Sequence, residues 1–136
     1  MKIAGIIAEY NPFHKGHEYH IAETRRLTGC DFVVVVMSGN YVQRGVPAIL
    51  DRHTRAELAC RMGADLVIEL PMRDAISSAE QFAMGGVTAL SAIGAEVISF
   101  GVEAVSADEH FTEQVETLAT LLVSEPEEYR SALREA

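Results

Sequence analysis

The 136-residue sequence lacks the features of disulfide-rich and membrane-spanning proteins. It has no tryptophan and two cysteines, Cys30 and Cys60, which lie far apart and outside any CxxC pair. Zinc would need closely spaced ligands and a disulfide would need an oxidising compartment, so we expect both cysteines to be small core or edge residues. No apolar run is long enough to cross a bilayer. These absences favour an ordinary globular domain.

Basic residues are scarce relative to acidic ones. The chain has 11 Lys and Arg residues against 20 Asp and Glu residues, which gives a formal net charge of −9, and many of the acids follow Glu103. A free-standing nucleic-acid-binding protein usually has the opposite balance. If RNA is a partner, most of the phosphate contacts must therefore come from outside this segment.

Length and composition predict one domain with an adequate core. A chain of 136 residues that is 49% hydrophobic and 23% charged can fold without disulfide or metal staples. Its short amino-terminal apolar stretch is followed by Glu-Tyr-Asn-Pro rather than a small-residue cleavage site, which argues against a secretory signal. We therefore expect a cytoplasmic protein without a membrane partner. The last predicted helix runs to Ala136 without a cap, so we expect the sequence to be the front part of a longer protein.

Two kinds of apolar segment alternate along the chain. Short runs rich in β-branched residues predict strands, and longer runs with apolar residues about one turn apart predict helices. The predicted strands cover residues 2–10, 31–37, 65–70 and 96–102, and the predicted helices cover residues 14–27, 50–62, 77 or 78 to 92, 108–124 and 126–136. This alternation is typical of βαβ units. We predict a Rossmann-like, three-layer α/β fold with a parallel sheet of at least four strands, order 3-2-1-4, and a ligand crevice at the carboxyl ends of strands one and four.

The segment from Ile6 to His20, which reads IIAEYNPFHKGHEYH, is the central motif. An apolar strand is broken at Asn11-Pro12, and His14 and His17 then fall on the first turn of the next helix. The leading N–H groups of a helix have no intrahelical partner, and this end of the helix favours an anion. We therefore predict that this turn binds the triphosphate of ATP.

His14 and His17 are the candidate catalytic residues. Imidazole N–H groups can donate to phosphate oxygens, and these bonds strengthen as charge moves onto the phosphates during displacement at the α-phosphorus. Gly16 would let the nucleotide approach the backbone, and Lys15 adds a cation that could equally face water. The Walker pattern GxxxxGK followed by Ser or Thr is absent, as is GxGxxG after the first strand. The motif therefore indicates adenylyl transfer rather than a kinase.

Other polar residues have both a structural and a functional interpretation. His20 lies one helical turn past His17 and is as compatible with a core or surface position as with a ligand contact. Glu9 faces the site from the end of the first strand, where a solvated strand terminus is the commoner explanation. Arg44, on a glycine-flanked loop, could bind phosphate or tRNA or could be an ordinary surface residue.

Two groups of charged residues follow the loop. Asp51-Arg52-His53 and Arg55 could form a second basic site, but we favour a helix start with Asp51 in the first turn. Glu69, near the end of the third strand, could help to position a metal or a substrate. An isolated carboxylate indicates little by itself.

Several longer strings carry a resemblance to a known family. Asn-Pro-Phe-His-Lys-Gly-His contains the HxGH signature of the nucleotidyltransferase superfamily, whose HUP-type fold is shared with class I aminoacyl-tRNA synthetases. The strings EYNPFHKGHEYH, SGNYVQRGVPAILDRHTRAELACRMGADLVIELP and SAEQFAMGGVTALSAIGAEVISFGVE go further. Together they resemble the amino-terminal domain of the bacterial tRNA(Met) cytidine acetate ligase family, over about residues 1 to 105.

This resemblance implies a specific activity. Family members use ATP to activate acetate as acetyl-adenylate, release pyrophosphate and pass the acetyl group to N4 of the wobble cytidine of elongator tRNA(Met). ATP seldom arrives without Mg²⁺, which is therefore a candidate cofactor, although no cluster of metal ligands is visible. The ATP-binding residues that the resemblance implies are Ile7, Ala8, Glu9, Tyr10, Asn11, Pro12, Phe13, His14, Lys15, Gly16, His17, Glu18, Tyr19, His20 and Gly101, and no residue is assigned to a metal.

The sequence departs from the family pattern in two ways. Family members are much longer, and their later nucleotide contacts and tRNA-binding region lie beyond residue 136. The second phosphate motif of the superfamily, a Ser/Thr-rich stretch with a basic residue near a later helix, is also missing. It is therefore open whether this segment is active alone. Two alternatives remain, namely a small-molecule adenylyl- or cytidylyltransferase and a non-catalytic module that binds a nucleotide or a partner protein.

Overall fold

The structure is a computed structural model that describes residues 1–102 and 111–135. It divides into two compact units, Met1–Gly101 and Val102–Ala136. The strands of the first unit are β1 (Ile3–Ala8), β2 (Phe32–Ser38), β3 (Leu66–Leu70) and β4 (Val97–Ser99), and its helices are α1 (Lys15–Thr28), α2 (Arg52–Arg61), α3 (Met72–Ala75) and α4 (Ala79–Ala92). A single 3-10 turn covers Gln43–Gly45. The second unit contains α5 (Phe111–Ser124) and α6 (Glu127–Glu135).

The four strands form one parallel sheet with the order β3-β2-β1-β4. This confirms the predicted fold class and strand order. β1 is central, since Ala4 pairs with Val33 of β2 on one side and with Val97 of β4 on the other. All carboxyl ends of the strands therefore meet at the same edge of the sheet, where ligands bind in open α/β folds.

Apolar side chains cover both faces of the sheet. On one face, β1 and β2 pack against residues of α1 and α2, and on the other they pack against residues of α4 and α3. Strands that are buried on both faces read as continuous apolar runs, which explains the sequence FVVVV in β2. The first cluster includes Ala4, Ile6, Ile21, Val33, Val35, Met37 and Ala59, and the second includes Ile3, Val34, Val36, Leu70, Ala75, Phe82 and Leu90.

Small residues let α4 approach the sheet closely. A Cβ atom at Gly86 would lie 2.6 to 2.8 Å from three side-chain atoms of Ile7. A Cβ atom at Gly5 in β1 would lie 2.5 Å from the methyl groups of Leu90. Since non-bonded heavy atoms do not come this close to a real Cβ atom, a side chain at Gly86 or Gly5 would force Ile7 or Leu90 to move.

Capping residues define the helix ends within one or two residues of the prediction. His14 is the N-cap of α1, and Gly29 ends this helix with a left-handed φ of 60°. Asp51 accepts hydrogen bonds from two N–H groups of α2, so it is the N-cap rather than a first-turn residue. Ser78 caps α4.

Two further differences concern the strands and α3. β1, β3 and β4 are shorter than predicted, most clearly β4, which has three residues, whereas β2 has the predicted length and begins one residue later. The single turn of α3 was not predicted, because four residues after Pro71 are too few to show a period. Residues 108–110 of the predicted helix 108–124 lie outside the described residues. Within the described parts of the chain, no helix has the length and apolar character needed to cross a membrane.

Replacing Gly86 with Ala should destabilise the fold. The new methyl group would overlap Ile7, and such overpacking costs about 1–3 kcal/mol, while the better helix propensity of Ala offsets about 0.5–1 kcal/mol. We expect the urea midpoint of unfolding to fall at an unchanged m-value. Gly101→Ala is the control, because a Cβ atom there meets nothing within 4 Å. Equal midpoints for the two variants would contradict this description of the packing.

Candidate functional site

A cavity of about 490 Å³ lies at the carboxyl ends of β1 and β4. Small-ligand sites usually have volumes of roughly 300–1,000 Å³, so the size is suitable for a ligand. Its walls come from β1, the turn that follows, the first turns of α1 and the end of β4. The lining residues are Ile6, Ile7, Ala8, Glu9, Tyr10, Asn11, Pro12, His14, His17, His20, Phe100 and Gly101.

The turn between β1 and α1 is held by the loop that follows β2. Oδ1 of Asn11 accepts a hydrogen bond from the N–H of Ile49 at 2.7 Å. A carboxylate oxygen of Glu9 accepts one from the N–H of Gln43, also at 2.7 Å. The peptide bond between Asn11 and Pro12 is cis. Glu9 thus has a structural partner in the loop, and it borders the cavity as well.

His14 and His17 make reciprocal hydrogen bonds with the backbone at the start of α1. Nδ1 of His14 accepts from the N–H of Gly16 at 3.1 Å, and Nδ1 of His17 accepts from the N–H of His14 at 3.2 Å. The two rings stack with their centroids 3.6 Å apart. In a neutral imidazole one nitrogen accepts and the other carries the proton. Because Nδ1 accepts in both rings, Nε2 carries the proton in both, and each ring keeps one N–H donor that the helix does not use.

Burial keeps the inner histidines of the cavity uncharged. Desolvation lowers the pKa of His17 below its usual value of 6.5, and the neighbouring imidazoles of His14 and His20 lower it further. Desolvation also lowers the pKa of His20. At neutral pH these two side chains are therefore neutral hydrogen-bonding groups rather than cations.

His20 connects α1 with β4. Its Nε2 atom lies 3.0 Å from Oγ of Ser99, and that hydroxyl oxygen lies 2.6 Å from Oγ1 of Thr24. His20 is half-buried and also lines the cavity. Its hydrogen bond thus keeps the end of β4 against α1 at the cavity wall.

An aromatic cluster supports the ring of His17. Tyr10 lies with its ring centroid 4.7 Å from that of His17 and 4.9 Å from that of Phe13, which it contacts edge-on. Tyr10 has a left-handed φ of 49° and is only 2% exposed. Its hydroxyl group has no hydrogen-bond partner within residues 1–102 and 111–135, and burial raises the pKa of Tyr10 above its usual range. The ring of His17 is therefore fixed on one side by packing and on the other by its hydrogen bond.

Five residues of the predicted ATP segment lie outside the cavity lining, namely Phe13, Lys15, Gly16, Glu18 and Tyr19. The Lys15 side chain is 94% exposed, and its Nζ atom pairs with Glu18 at 2.9 Å on the surface of α1. Tyr19 is exposed too. A Cβ atom at Gly16 would lie 3.0 Å from the His14 ring, so glycine makes room for that ring as it bends back to cap the helix.

Ile6 and Phe100 line the cavity although the sequence analysis did not assign them to ATP. Ile6 belongs to an apolar strand whose composition only indicates a core. The position of Phe100 directly before Gly101 is the signal that could have identified it. A Cβ atom at Gly101 would meet nothing within 4 Å. The fold therefore does not require glycine at this point of the cavity wall.

Arg55 is a structural residue rather than part of an exposed basic site. It is fully buried, and its guanidinium group donates hydrogen bonds to three carbonyl oxygens. The acceptors are Glu9 at the end of β1, at 2.5 Å, Leu50 before α2, at 2.9 Å, and Gly39 after β2. A single side chain thus joins the ends of two strands and the start of a helix.

Near this edge Arg44 and Glu69 are exposed, and Arg52 is half-buried. Arg52 forms an ion pair with Glu69, with Nη1 lying 2.9 and 2.8 Å from the two carboxylate oxygens. Arg44 has a left-handed φ of 65° in the loop. Within the described residues, no group of three or more His, Cys, Asp or Glu side chains could hold a metal ion. Cys30 is buried and Cys60 is exposed, and both are free thiols.

Known proteins are similar to this chain over its whole length. Residues 1–136 match the HIGH Nucleotidyl Transferase family. The tRNA(Met) cytidine acetate ligase of Clostridium novyi is 50% identical over 136 residues, which are 99% of this chain and 33% of that protein. The protein of the same name from Acetivibrio thermocellus is 49% identical, with 99% of this chain and 32% of that protein covered. The chain thus spans about a third of the length of these curated relatives.

Solved structures show the same fold. Thermotoga maritima TmcAL bound with alpha-thio ATP is 44% identical and matches with a TM-score of 0.83, covering 99% of this chain and 32% of that chain. A lipopolysaccharide core biosynthesis protein from Thermoplasma volcanium matches with a TM-score of 0.53 at 17% identity, covering 88% of this chain and 89% of that chain. The second likeness concerns the fold alone.

Stability should fall between pH 7 and pH 5 because the half-buried His17 and His20 take up protons less readily in the folded chain than in the unfolded chain. The pKa values of His17 and His20 are lowered in the folded chain, so the unfolded chain binds more protons as the pH falls below about 6.5 and the free energy of unfolding decreases. Urea unfolding should show a smaller decrease for His17→Gln, which lacks one of these groups. His53→Gln replaces an exposed imidazole and serves as the control. An equal decrease in the parent and in His17→Gln would contradict this linkage.

Proposed function

The chain belongs to the HIGH nucleotidyl transferase family, and we propose that it forms the nucleotide-binding part of a tRNA(Met) cytidine acetate ligase. In the proposed reaction, ATP activates acetate as acetyl-adenylate with release of pyrophosphate, and the acetyl group passes to N4 of the wobble cytidine of elongator tRNA(Met). Relatives that carry this name at 45–50% identity over 136 residues support the proposal. The related protein that was crystallised with alpha-thio ATP supports ATP as the nucleotide.

The observation that carries the proposal is the pair of Nε2–H groups on His14 and His17, which have no hydrogen-bond partner among residues 1–102 and 111–135. Both rings line the cavity, and their backbone hydrogen bonds fix which nitrogen carries the proton. When an acetate oxygen bonds to the α-phosphorus and the bond to the pyrophosphate oxygen breaks, negative charge accumulates on the phosphate oxygens. Donors that are already oriented stabilise this charge without reorganisation. We propose His14 and His17 as the catalytic residues on this basis.

ATP would lie in the cavity along the segment from Ile7 to His20, with Gly101 against the nucleotide. The positive end of the α1 dipole favours the phosphates there. Mg²⁺ would enter with ATP as part of the substrate. In the second step, N4 of the cytidine attacks the carbonyl carbon of acetyl-adenylate, AMP leaves and N4 loses a proton. Most tRNA phosphate contacts would come from outside these 136 residues, and the reaction would take place in the cytoplasm.

The catalytic assignment predicts that His14→Asn keeps the helix start but loses the reaction. Asn is a good N-cap, so its side chain can still accept from the N–H of Gly16, yet it has no donor at the position of Nε2. Acetate-dependent exchange of pyrophosphate into ATP, measured on the complete gene product, should fall by about 10²–10³-fold, the usual effect of removing one oriented donor.

His14→Ala separates the two roles of the side chain. It should lose the exchange reaction and also about 1 kcal/mol of stability, because the cap is removed. Arg26→Ala is the activity control, because it changes an exposed residue near the other end of α1, outside the proposed ATP segment, that pairs with Glu23. Full exchange activity in His14→Asn would rule out the proposed role of His14. Exchange in the parent that needs no acetate would instead favour a small-molecule adenylyltransferase.

Gly101→Val should weaken ATP binding without affecting stability. The side chain would project from the cavity wall into space that is open in the free chain, so it would compete with the nucleotide rather than with the fold. Calorimetric titration of ATP should show at least a tenfold higher Kd. The thermal midpoint of unfolding should be the same as that of the parent. Unchanged affinity would place the nucleotide away from the end of β4.

A further inference from the structure

A second, smaller cleft lies at the same sheet edge, at the carboxyl ends of β2 and β3. Its volume is about 160 Å³, and its lining residues are Gly39, Asn40, Tyr41, Arg52, Glu69 and Met72. This is well below the roughly 300 Å³ of the smallest drug-sized sites. The cleft therefore suits a group of the size of a single ring rather than a whole nucleotide.

The polar groups of the cleft combine donors and an acceptor without net charge. Nη1 of Arg52 bonds both oxygens of Glu69, and the two side chains remain 43% and 47% exposed. Nη2 of Arg52 makes no hydrogen bond within the described part of the chain. Oδ1 of Asn40 accepts from the N–H of Arg52 at 2.9 Å, which leaves the amide NH₂ of Asn40 as a donor. Because Glu69 neutralises Arg52, an anion gains little electrostatic binding energy in the cleft. A neutral ring with both donors and acceptors can instead form hydrogen bonds with all three side chains.

Cytosine has the matching pattern of donors and acceptors. Its Watson–Crick edge presents the N4 amine as donor beside N3 and O2 as acceptors, and Glu is a known partner of N4. Glu69 can accept from the amine while Arg52 and Asn40 donate to N3 and O2. Uracil has a carbonyl oxygen at the position of the amine. This oxygen would be repelled by the carboxylate of Glu69, because both groups are hydrogen-bond acceptors. Tyr41, which is 45% exposed, supplies an aromatic surface on which an unpaired base can stack.

The strand register places this cleft beside the larger cavity. Glu69 pairs with Met37 of β2, and Met37 pairs with Ala8 of β1, which lines the larger cavity. These three residues form one row across the sheet, so the Cα atoms of Glu69 and Ala8 are about two strand spacings, roughly 10 Å, apart. The cleft and the larger cavity are thus neighbours along the same edge of the sheet.

We infer that this cleft is the subsite for the cytosine base that receives the acetyl group. The inference rests on the proposed function, because the cleft is assigned to the acceptor of that reaction. Glu69 and Arg52 recognise the base, Tyr41 stacks on it, and the shared edge brings N4 towards the adenylate. RNA-binding proteins commonly read unpaired loop bases in this way, by stacking and by hydrogen bonds to the Watson–Crick edge.

The test measures base preference in the absence of ATP. Two labelled stem-loops with the anticodon sequence of elongator tRNA(Met), one with cytidine and one with uridine at the wobble position, are titrated into the complete gene product. The parent should bind the cytidine form about tenfold more tightly. Glu69→Gln should remove most of this preference, since the carboxylate no longer faces the amine. Glu57→Gln is the matched control, because it breaks another exposed ion pair, that between Glu57 and Arg61 on α2.

Two further variants keep the result interpretable if Glu69→Gln is unstable. Tyr41→Ala should weaken both stem-loops, and Tyr41→Phe, which keeps the ring, should not. Equal affinity of the parent for both stem-loops would overturn the inference, as would a preference that survives both Glu69→Gln and Tyr41→Ala. Because no ATP is present, these outcomes are independent of pyrophosphate exchange. If the parent shows no pyrophosphate exchange but still prefers the cytidine stem-loop, the proposed reaction is overturned and the assignment of the cleft is not.

Discussion

The hydrogen bonds between two histidines and the backbone at the start of α1 are the interaction on which the site depends. The first N–H groups of any helix need partners, and Ser or Asp would satisfy them at least as well as His14 does. An ionised Asp would, however, have no donor at all, and the single O–H of Ser would lie on the same atom that caps the helix rather than on the far side of the side chain. The imidazole accepts through Nδ1 and, for that reason, presents Nε2–H. Local helix stability and the chemistry of the cavity are therefore set by the same two bonds.

A buried cation holds this arrangement in place. Arg55 is a fully buried guanidinium whose direct partners are carbonyl oxygens rather than a carboxylate. Desolvation lowers its pKa, and the more distant charges of Glu9, Asp51 and Glu69 act in the opposite direction. Burial of such a group is costly unless its donors are satisfied. Three carbonyl acceptors on three segments offset that cost only when the segments keep their positions, so Arg55 makes the geometry of the sheet edge specific.

The sequence predicted those features that depend on neighbouring residues. Apolar periodicity identified the strands of the parallel sheet and most helices, and the spacing of His14 and His17 placed both imidazoles at the start of α1. The environments of Arg44, Arg52 and Arg55 could not be predicted in the same way. Arg55 contacts Glu9 across 46 positions and Arg52 contacts Glu69 across 17. Such pairs are determined by the packing of α2 against the strand ends, and three arginines within twelve residues look alike until that packing is known.

The negative charge of the chain bears on the proposed function, because the groups assigned to the cavity and to the cleft carry no net charge. With a formal net charge of −9, the long-range field of this segment repels ATP and RNA alike. His17 and His20 are uncharged near pH 7, and the charge of Arg52 is cancelled by Glu69. Hydrogen bonds between oriented neutral groups act only at contact distance and are little affected by salt, whereas attraction of a polyanion requires basic surface. We therefore assign selection of the reacting groups to residues 1–101, and attraction of the RNA to positive charge contributed from elsewhere.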